Sequence, residues 1–149
     1  MTTALLQPPH DALAHHAALE HLLLGDLREL LEEPPDRQNR RWLLVILDGL
    51  LETLPRQFLL EEQGGYLAEV LDQYPSWRPQ VDGLRRQHGE LYATLDRLRD
   101  RVAGGRPFGH AAADVRRELR DWMHRLIAHN RHENRILQTA MNLEVGTGD

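Results

Sequence analysis

A chain of 149 residues with a formal net charge of -5, 41% hydrophobic and 28% charged residues has the composition of one folded domain, long enough to bury about 70% of its unfolded surface. Arg is mixed with Glu and Asp, so there is no basic stripe, which argues against nucleic acid and against an anionic membrane surface as partners. The absence of cysteine excludes disulfides, thiolate metal sites and thiol catalysis, and leaves any metal to His, Asp and Glu.

The N-terminal stretch MTTALLQPPHDALAHH has neither a basic leader nor a long apolar run. The longest aliphatic run, Trp42 to Leu47, is far too short to span a bilayer. A cytoplasmic location is therefore expected. The anomalous count is histidine, nine in this length, well above ordinary usage. Low aromatic content and Leu-rich runs favour helices over sheets.

After Pro8 and Pro9, Asp11 is placed to cap a first helix running to about Glu33, where Pro34 and Pro35 stop it. Leu13, Leu19, Leu23, Leu24, Leu27, Leu30 and Leu31 form its apolar stripe. His16 lies near the centre of that stripe and Glu20 faces the same way one turn on. His15 falls at the edge and His21 opposite, both read as surface residues. A second helix is predicted from about Arg37 to Gln63, with Leu43, Ile46, Leu47, Leu50, Leu54 and Phe58 inward and Gly64-Gly65 as its stop. Pro55 should kink or split it. Gln57 and Glu61 still share the inner face, while Glu62 reads as a solvated charge at its edge.

Tyr66 to Gln73 reads as a short helical connector, followed by a bend at Pro75, Trp77 and Pro79. The third long helix is predicted over about Gln80 to Ala103, with Val81, Leu84, Leu91, Leu95 and Val102 inward and His88 at the middle of that face. The fourth is predicted over about His110 to Met141, followed by a short Gly-containing tail. On it His129 and Glu133 interrupt a stripe of Trp122, Leu126, Ile136, Leu137 and Ala140. His110, His124 and His132 read as surface residues.

Four amphipathic helices joined by short connections predict an all-α, left-handed, antiparallel up-down-up-down four-helix bundle. Alternating helix direction brings His16, Gln57, Glu61, His88, His129 and Glu133 to one end of it. A lone inward histidine is usually a hydrogen-bonded core residue, but inward polar groups from all four helices at one level point to a metal site.

The same residues carry a family resemblance spread over all four helices. HNRHEN, with His129 and Glu133, resembles the last-helix His-x-x-x-Glu signature of bacterial hemerythrin-like proteins of the His-His-Glu cation-binding type. His16 with Leu19 and His88 with Leu91 resemble that family's single-histidine helices. QFLLEEQGGYL resembles its second-helix motif, in which a histidine precedes the first glutamate by four residues; here that position is Gln57.

The resemblance implies a non-haem di-iron centre, with Glu61 and Glu133 as bridging carboxylates, histidines as terminal ligands, and an open position for dioxygen, peroxide or nitric oxide. Neutral imidazoles suit iron, and two carboxylates offset most of the charge of two divalent ions in a low-dielectric interior. Gln57 offers only an amide oxygen, a weaker ligand than imidazole. Three outcomes fit that departure: a di-iron centre with an amide or a water beside Gln57, a mononuclear site, or a bundle that has lost its metal. Glu20 is either a compensating carboxylate or a partly buried ion-pairing residue.

The function expected is metal-dependent binding or sensing of dioxygen or a related small oxidant. An enzyme acting on peroxide and a metal-free interaction module are the alternatives, and the sequence identifies no protein partner.

Overall fold

The computed structural model describes the backbone of residues 9–64 and 66–147, and the side chains of 15–62 and 67–143. It is helical throughout, with no strand among the described residues. Helix α1 spans Pro9–Glu32 and α2 Arg37–Leu59, which passes into a π-helical turn over Leu60–Gly64. A short α3 covers Tyr66–Gln73, a 3-10 turn covers Pro75–Trp77, and α4 (Arg78–Gly104) and α5 (His110–Thr147) complete the chain.

The helix ends differ from the sequence expectation for local reasons. Helix α1 begins at Pro9, so the backbone of Asp11 lies inside the helix rather than capping it; proline suits a first turn, where its missing N–H costs nothing. Helix α4 begins at Arg78 with Pro79 in its first turn, for the same reason. Helix α2 starts as expected: the Asp36 carboxylate accepts from the Asn39 amide at 2.7 Å. Pro55 neither splits nor ends α2; the irregularity comes five residues later, as the π turn. Helix α5 runs on past Met141 to Thr147, so the expected tail is helical.

Between α4 and α5 the backbone requires glycine twice. A β-carbon on Gly105 would lie 2.8 Å from the Arg101 carbonyl oxygen, and Gly109 has φ of 99°, a region that side chains strongly disfavour. Gly109 then accepts from the Ala113 amide and opens α5.

The buried line on α1 runs through Glu20, Leu24, Leu27 and Leu31, a spacing of four, three and four that keeps to one face. Leu19, expected in the stripe, is one position off that line and is exposed. Leu13 lies outside the residues whose side chains are described, and Gly65 lies outside the described residues. The expected inward residues of α2 and α4 are all buried, as are Trp122, Leu126, Ile136 and Ala140 of α5.

These apolar residues form two clusters. The larger joins Leu24, Leu27, Leu50, Leu54, Phe58, Leu91, Leu95, Trp122 and Leu126 with their neighbours. The smaller joins Leu67 and Val70 of α3 to Val81, Leu84, Ile136 and Ala140. Along α4 and α5 the break between clusters falls at His88 and at His129 and Glu133, so polar side chains occupy a layer between two apolar ones.

The end of the bundle away from that layer is tied by arginines. Arg40, near the start of α2, donates to the carbonyls of Val102 (3.1 Å) and Ala103 (2.5 Å) at the end of α4. Arg116 and Arg120, near the start of α5, donate to the carbonyls of Leu30, Leu31 and Glu33 at the end of α1. Helix ends leave carbonyls without a full intrahelical set of donors, so the guanidinium groups act as caps supplied from a neighbour, alongside the Glu33 amide that the Leu30 carbonyl also accepts from at 3.2 Å. Burial pushes the Arg116 guanidinium pKa down, the nearby Arg120 adds to this, and Glu33 and Asp36 work against it.

Leu30 lies ten residues beyond Glu20 on α1, about 15 Å along the axis at 1.5 Å per residue. Stability and cation binding are therefore separable. Arg116→Met should cost about 2 kcal/mol by removing charge-assisted hydrogen bonds to the Leu30 and Glu33 carbonyls, read as a lowered Tm, while the metal content per chain stays at the wild-type value.

Candidate metal centre

Each long helix contributes to the polar layer at the point where its apolar stripe is interrupted. His16 and Glu20 stand one turn apart on α1, Gln57 on α2, Glu61 and Glu62 on the π turn, His88 on α4, and His129 and Glu133 one turn apart on α5. Glu20, Gln57, Glu61, His88, His129 and Glu133 are buried, and His16 is half-buried. His15, His21, His110, His124 and His132 are exposed.

The centre of the layer is formed by His88, His129 and Glu133, whose ligand atoms all lie within 4.8 Å of one another. The Glu133 Oε2 is 3.3 Å from His129 Nε2 and 3.8 Å from His88 Nε2. Glu61 joins them through an Oε2 that lies 3.4 Å from His88 Nε2. Gln57 is one step further out: its amide donates to Glu61 Oε1 at 3.2 Å and to Glu20 Oε2 at 3.3 Å. His16 stands apart: its ring meets the His15 ring edge-on, and among the described residues no hydrogen bond or ion pair joins it to the central three.

Both central histidines are held from behind. His88 Nδ1 lies 2.8 Å from Glu62 Oε1, and His129 Nδ1 lies 2.6 Å from Gln87 Oε1. With an oxygen acceptor at Nδ1, each neutral ring carries its proton there and turns an Nε2 lone pair inward. Phe58 stacks on His88 at 3.9 Å between ring centroids and 6° between planes, which fixes the ring plane and shields it from water.

Glu62 and Gln87 are the contributors that sequence reasoning missed. In a regular helix Glu62 is turned toward the edge. The wider π turn reduces the angular step between neighbours, so Glu61 and Glu62 both reach His88, one at each ring nitrogen. Pro55 and the following glycines were the available signs of irregularity. Gln87 had no sign, because its contact is to another helix.

Six buried side-chain atoms lack a hydrogen-bond partner among the described residues: His16 Nδ1, Glu20 Oε1, Gln57 Oε1, Glu61 Oε2, His88 Nε2 and His129 Nε2. All six belong to this layer. Buried polar atoms are nearly always paired, so a concentration of lone pairs at one level marks a place for a positive ion. Imidazole nitrogen with carboxylate oxygen is a donor set that suits iron and comparable divalent ions.

Protonation follows the same demand for positive charge. Burial lowers the His88 pKa, but the nearby carboxylates of Glu133, Glu61 and the hydrogen-bonded Glu62 outweigh it and bring it to about 10. Burial and the nearby Glu133 raise Glu61 to about 7 despite its bond to His88. Burial also pushes Glu133 up, but hydrogen bonds from His129, His88 and Glu61 outweigh it and bring it to about 2. Burial raises Glu20, partly offset by the amides of Gln57 and Asn130. His16 is lowered by burial and then by the charges of His15 and Arg56.

Two surface clefts reach the layer from different sides. One, lined by Gln87, Leu91, Arg125, Ala128 and His132, opens beside His129. Another, lined by Pro55, Leu59, Glu62, Arg85 and Tyr92, opens beside His88 and Phe58.

Among the described residues no helix is long and apolar enough to cross a membrane. No curated protein and no solved structure matches the chain. The family model described as the hemerythrin HHE cation-binding domain matches residues 8–141. That match covers nearly the whole length, takes in every side chain of the polar layer, and rests on all four long helices. The chain belongs to the hemerythrin HHE cation-binding domain family.

Proposed function

We propose that this protein takes up non-haem iron among His88, His129, Glu133 and Glu61, and serves to bind or sense dioxygen or a related small oxidant. The observation that carries the reading is the pair of anchored histidines, whose unpartnered Nε2 atoms converge on Glu133 with their Nδ1 atoms held by Glu62 and Gln87. Bound iron would supply a redox-active Lewis acid with room for a small ligand.

The chain's own part is positional. Glu133 lies between the two imidazoles, and Glu61 approaches from the π turn. Phe58 and the apolar clusters on either side keep bulk water away from the donor atoms. The cleft beside His129 offers a small molecule a route in, with the Arg125 side chain among its lining residues. The contacts of α2 with α4 and of α5 with α1 favour the antiparallel, up-down-up-down course that brings the contributing levels together.

Folding and cation binding are linked, because buried carboxylates repel one another without an ion and become ligands with one. Removing metal from a loaded sample with a chelator should lower the Tm by several degrees. An unchanged melting curve after verified removal would count against the reading.

Iron retained per chain after identical loading and dialysis tests the residue assignments in one series. Glu133→Ala should strip the site, since it removes the group that faces both histidines. Gln57→His should raise the iron retained or intensify the charge-transfer absorption, imidazole being the stronger ligand. Glu62→Ala and Gln87→Ala should each weaken iron binding by about 10–100-fold, as expected when the partner that orients a ligating histidine is lost. Equal values throughout would refute these assignments.

A further inference from the structure

We propose that the cleft between the end of α4 and the start of α5 binds a small organic acid, its carboxylate held by Arg40, Arg106 and Arg116 and its apolar body by Leu43, Val102 and Val115. The cleft lies at the end of the bundle away from the polar layer, and the proposal is independent of the iron reading.

The cleft has a volume of about 250 Å3, and its lining includes the side chains of Arg40, Arg101, Arg106 and Arg116 but no acidic residue. The chain as a whole carries a formal net charge of -5, so this is a local reversal of sign. A concave site walled by charges of one sign focuses its field on an incoming ion of the other.

The arginines differ in what already occupies them. Arg101 is ion-paired with Glu118 of α5. Arg40 donates only to the carbonyls of Val102 and Ala103, and Arg116 only to those of Leu30 and Glu33. A carbonyl accepts a hydrogen bond but carries no net charge, and among the described residues no carboxylate forms an ion pair with either guanidinium. Arg116 is 6% exposed, and a charge buried that deeply is ordinarily paired. Glu33 and Asp36 act on it only from beyond ion-pair distance. A guanidinium carries five N–H donors, so capping these carbonyls leaves donors to spare on both. Arg106, in the connection between the helices, is exposed and has no hydrogen bond or ion pair among the described residues, so its side chain is free to turn onto an occupant.

Helix α5 adds to the attraction. Ala111 and Ala112 of its opening turn line the cleft, and that turn holds no acidic residue. The amides before Ala113 precede the helix's own bonds, and Gly109 has no side chain with which to cap them.

The rest of the lining decides what the anion is attached to. Leu43, Val102, Ala112 and Val115 are buried apolar residues. Inorganic phosphate would meet the guanidinium groups but leave this surface uncovered. A planar carboxylate matches the guanidinium fork, and an apolar body behind it covers the aliphatic side. The volume lies below the ~300 Å3 at which pockets for drug-sized ligands begin, which points to an acid with one ring or a short chain.

The test is calorimetric titration of the full chain with benzoate, with benzamide as the neutral counterpart and inorganic phosphate as the bare anion, and amide NMR to locate the bound probe. Benzoate is expected to bind once per chain, to shift the amide signals of Gly104, Gly105, Ala111 and Ala112, and to raise the Tm. Benzamide and phosphate should each bind at least about tenfold more weakly. Arg106→Gln changes an exposed side chain on which no contact of the fold depends. It should weaken benzoate about tenfold while the helical circular dichroism and the Tm of the free protein stay at wild-type values.

Absence of benzoate binding, or amide shifts confined to other parts of the chain, would overturn the proposal. So would benzamide or phosphate binding as tightly as benzoate, or an unchanged benzoate affinity in Arg106→Gln. None of these results would touch the iron reading, since the probes need no metal.

Discussion

The constraint on which the rest of this structure depends is the burial of three carboxylates, Glu20, Glu61 and Glu133, in one layer between apolar clusters. Like charges in a poorly polarisable interior repel strongly and lose their hydration, so the layer needs positive charge. Two sources are within reach: a proton on His88, which its carboxylate neighbours favour, or a metal cation held by the same atoms. Either source fits the geometry, but a cation would also take up the unpartnered Nε2 atoms of His88 and His129 together. The arrangement is a poor way to stabilise a bundle and a good way to hold an ion.

That cost is met by separating functions along the helix axes. At the far end, Arg40, Arg116 and Arg120 satisfy carbonyls at the ends of α4 and α1, and a continuous cluster from Leu27 to Trp122 fills the interior. Trp122 is fully buried with its indole N–H donating to the Leu91 carbonyl at 2.8 Å, so even the largest core side chain leaves no polar atom unsatisfied. Among the described residues, buried side-chain atoms without a partner are confined to the layer. Around it, the π turn and short α3 replace regular helix, which lets two adjacent glutamates reach one imidazole.

Much of this was legible in the sequence because helical periodicity is a strong signal. His88 sits at the centre of the α4 stripe, and His129 and Glu133 share a face with Trp122 and Leu126, so their burial follows from 3.6 residues per turn. Gln57 kept to its expected face despite Pro55, because α2 stays regular through the proline. Glu62 escaped because the π turn changes the phase of the helix after Leu59, which no apolar repeat records. Gln87 escaped because its acceptor role depends on the distance between α4 and α5, which spacing along one helix does not encode. Leu19 was placed inward by a stripe drawn one residue too wide, and the continuation of α5 was missed because the segment after Met141 was read as a Gly-containing tail.

The central claim is that the converging, anchored Nε2 atoms of His88 and His129 hold a metal ion with Glu133. It is tested most directly by anomalous diffraction at the iron absorption edge from crystals of iron-loaded protein. The account predicts an anomalous peak within coordination distance of both Nε2 atoms and of the Glu133 carboxylate, with Nδ1 of each ring still facing Glu62 or Gln87. An iron peak elsewhere on the chain, or none in loaded crystals with those side chains placed as described, would contradict it.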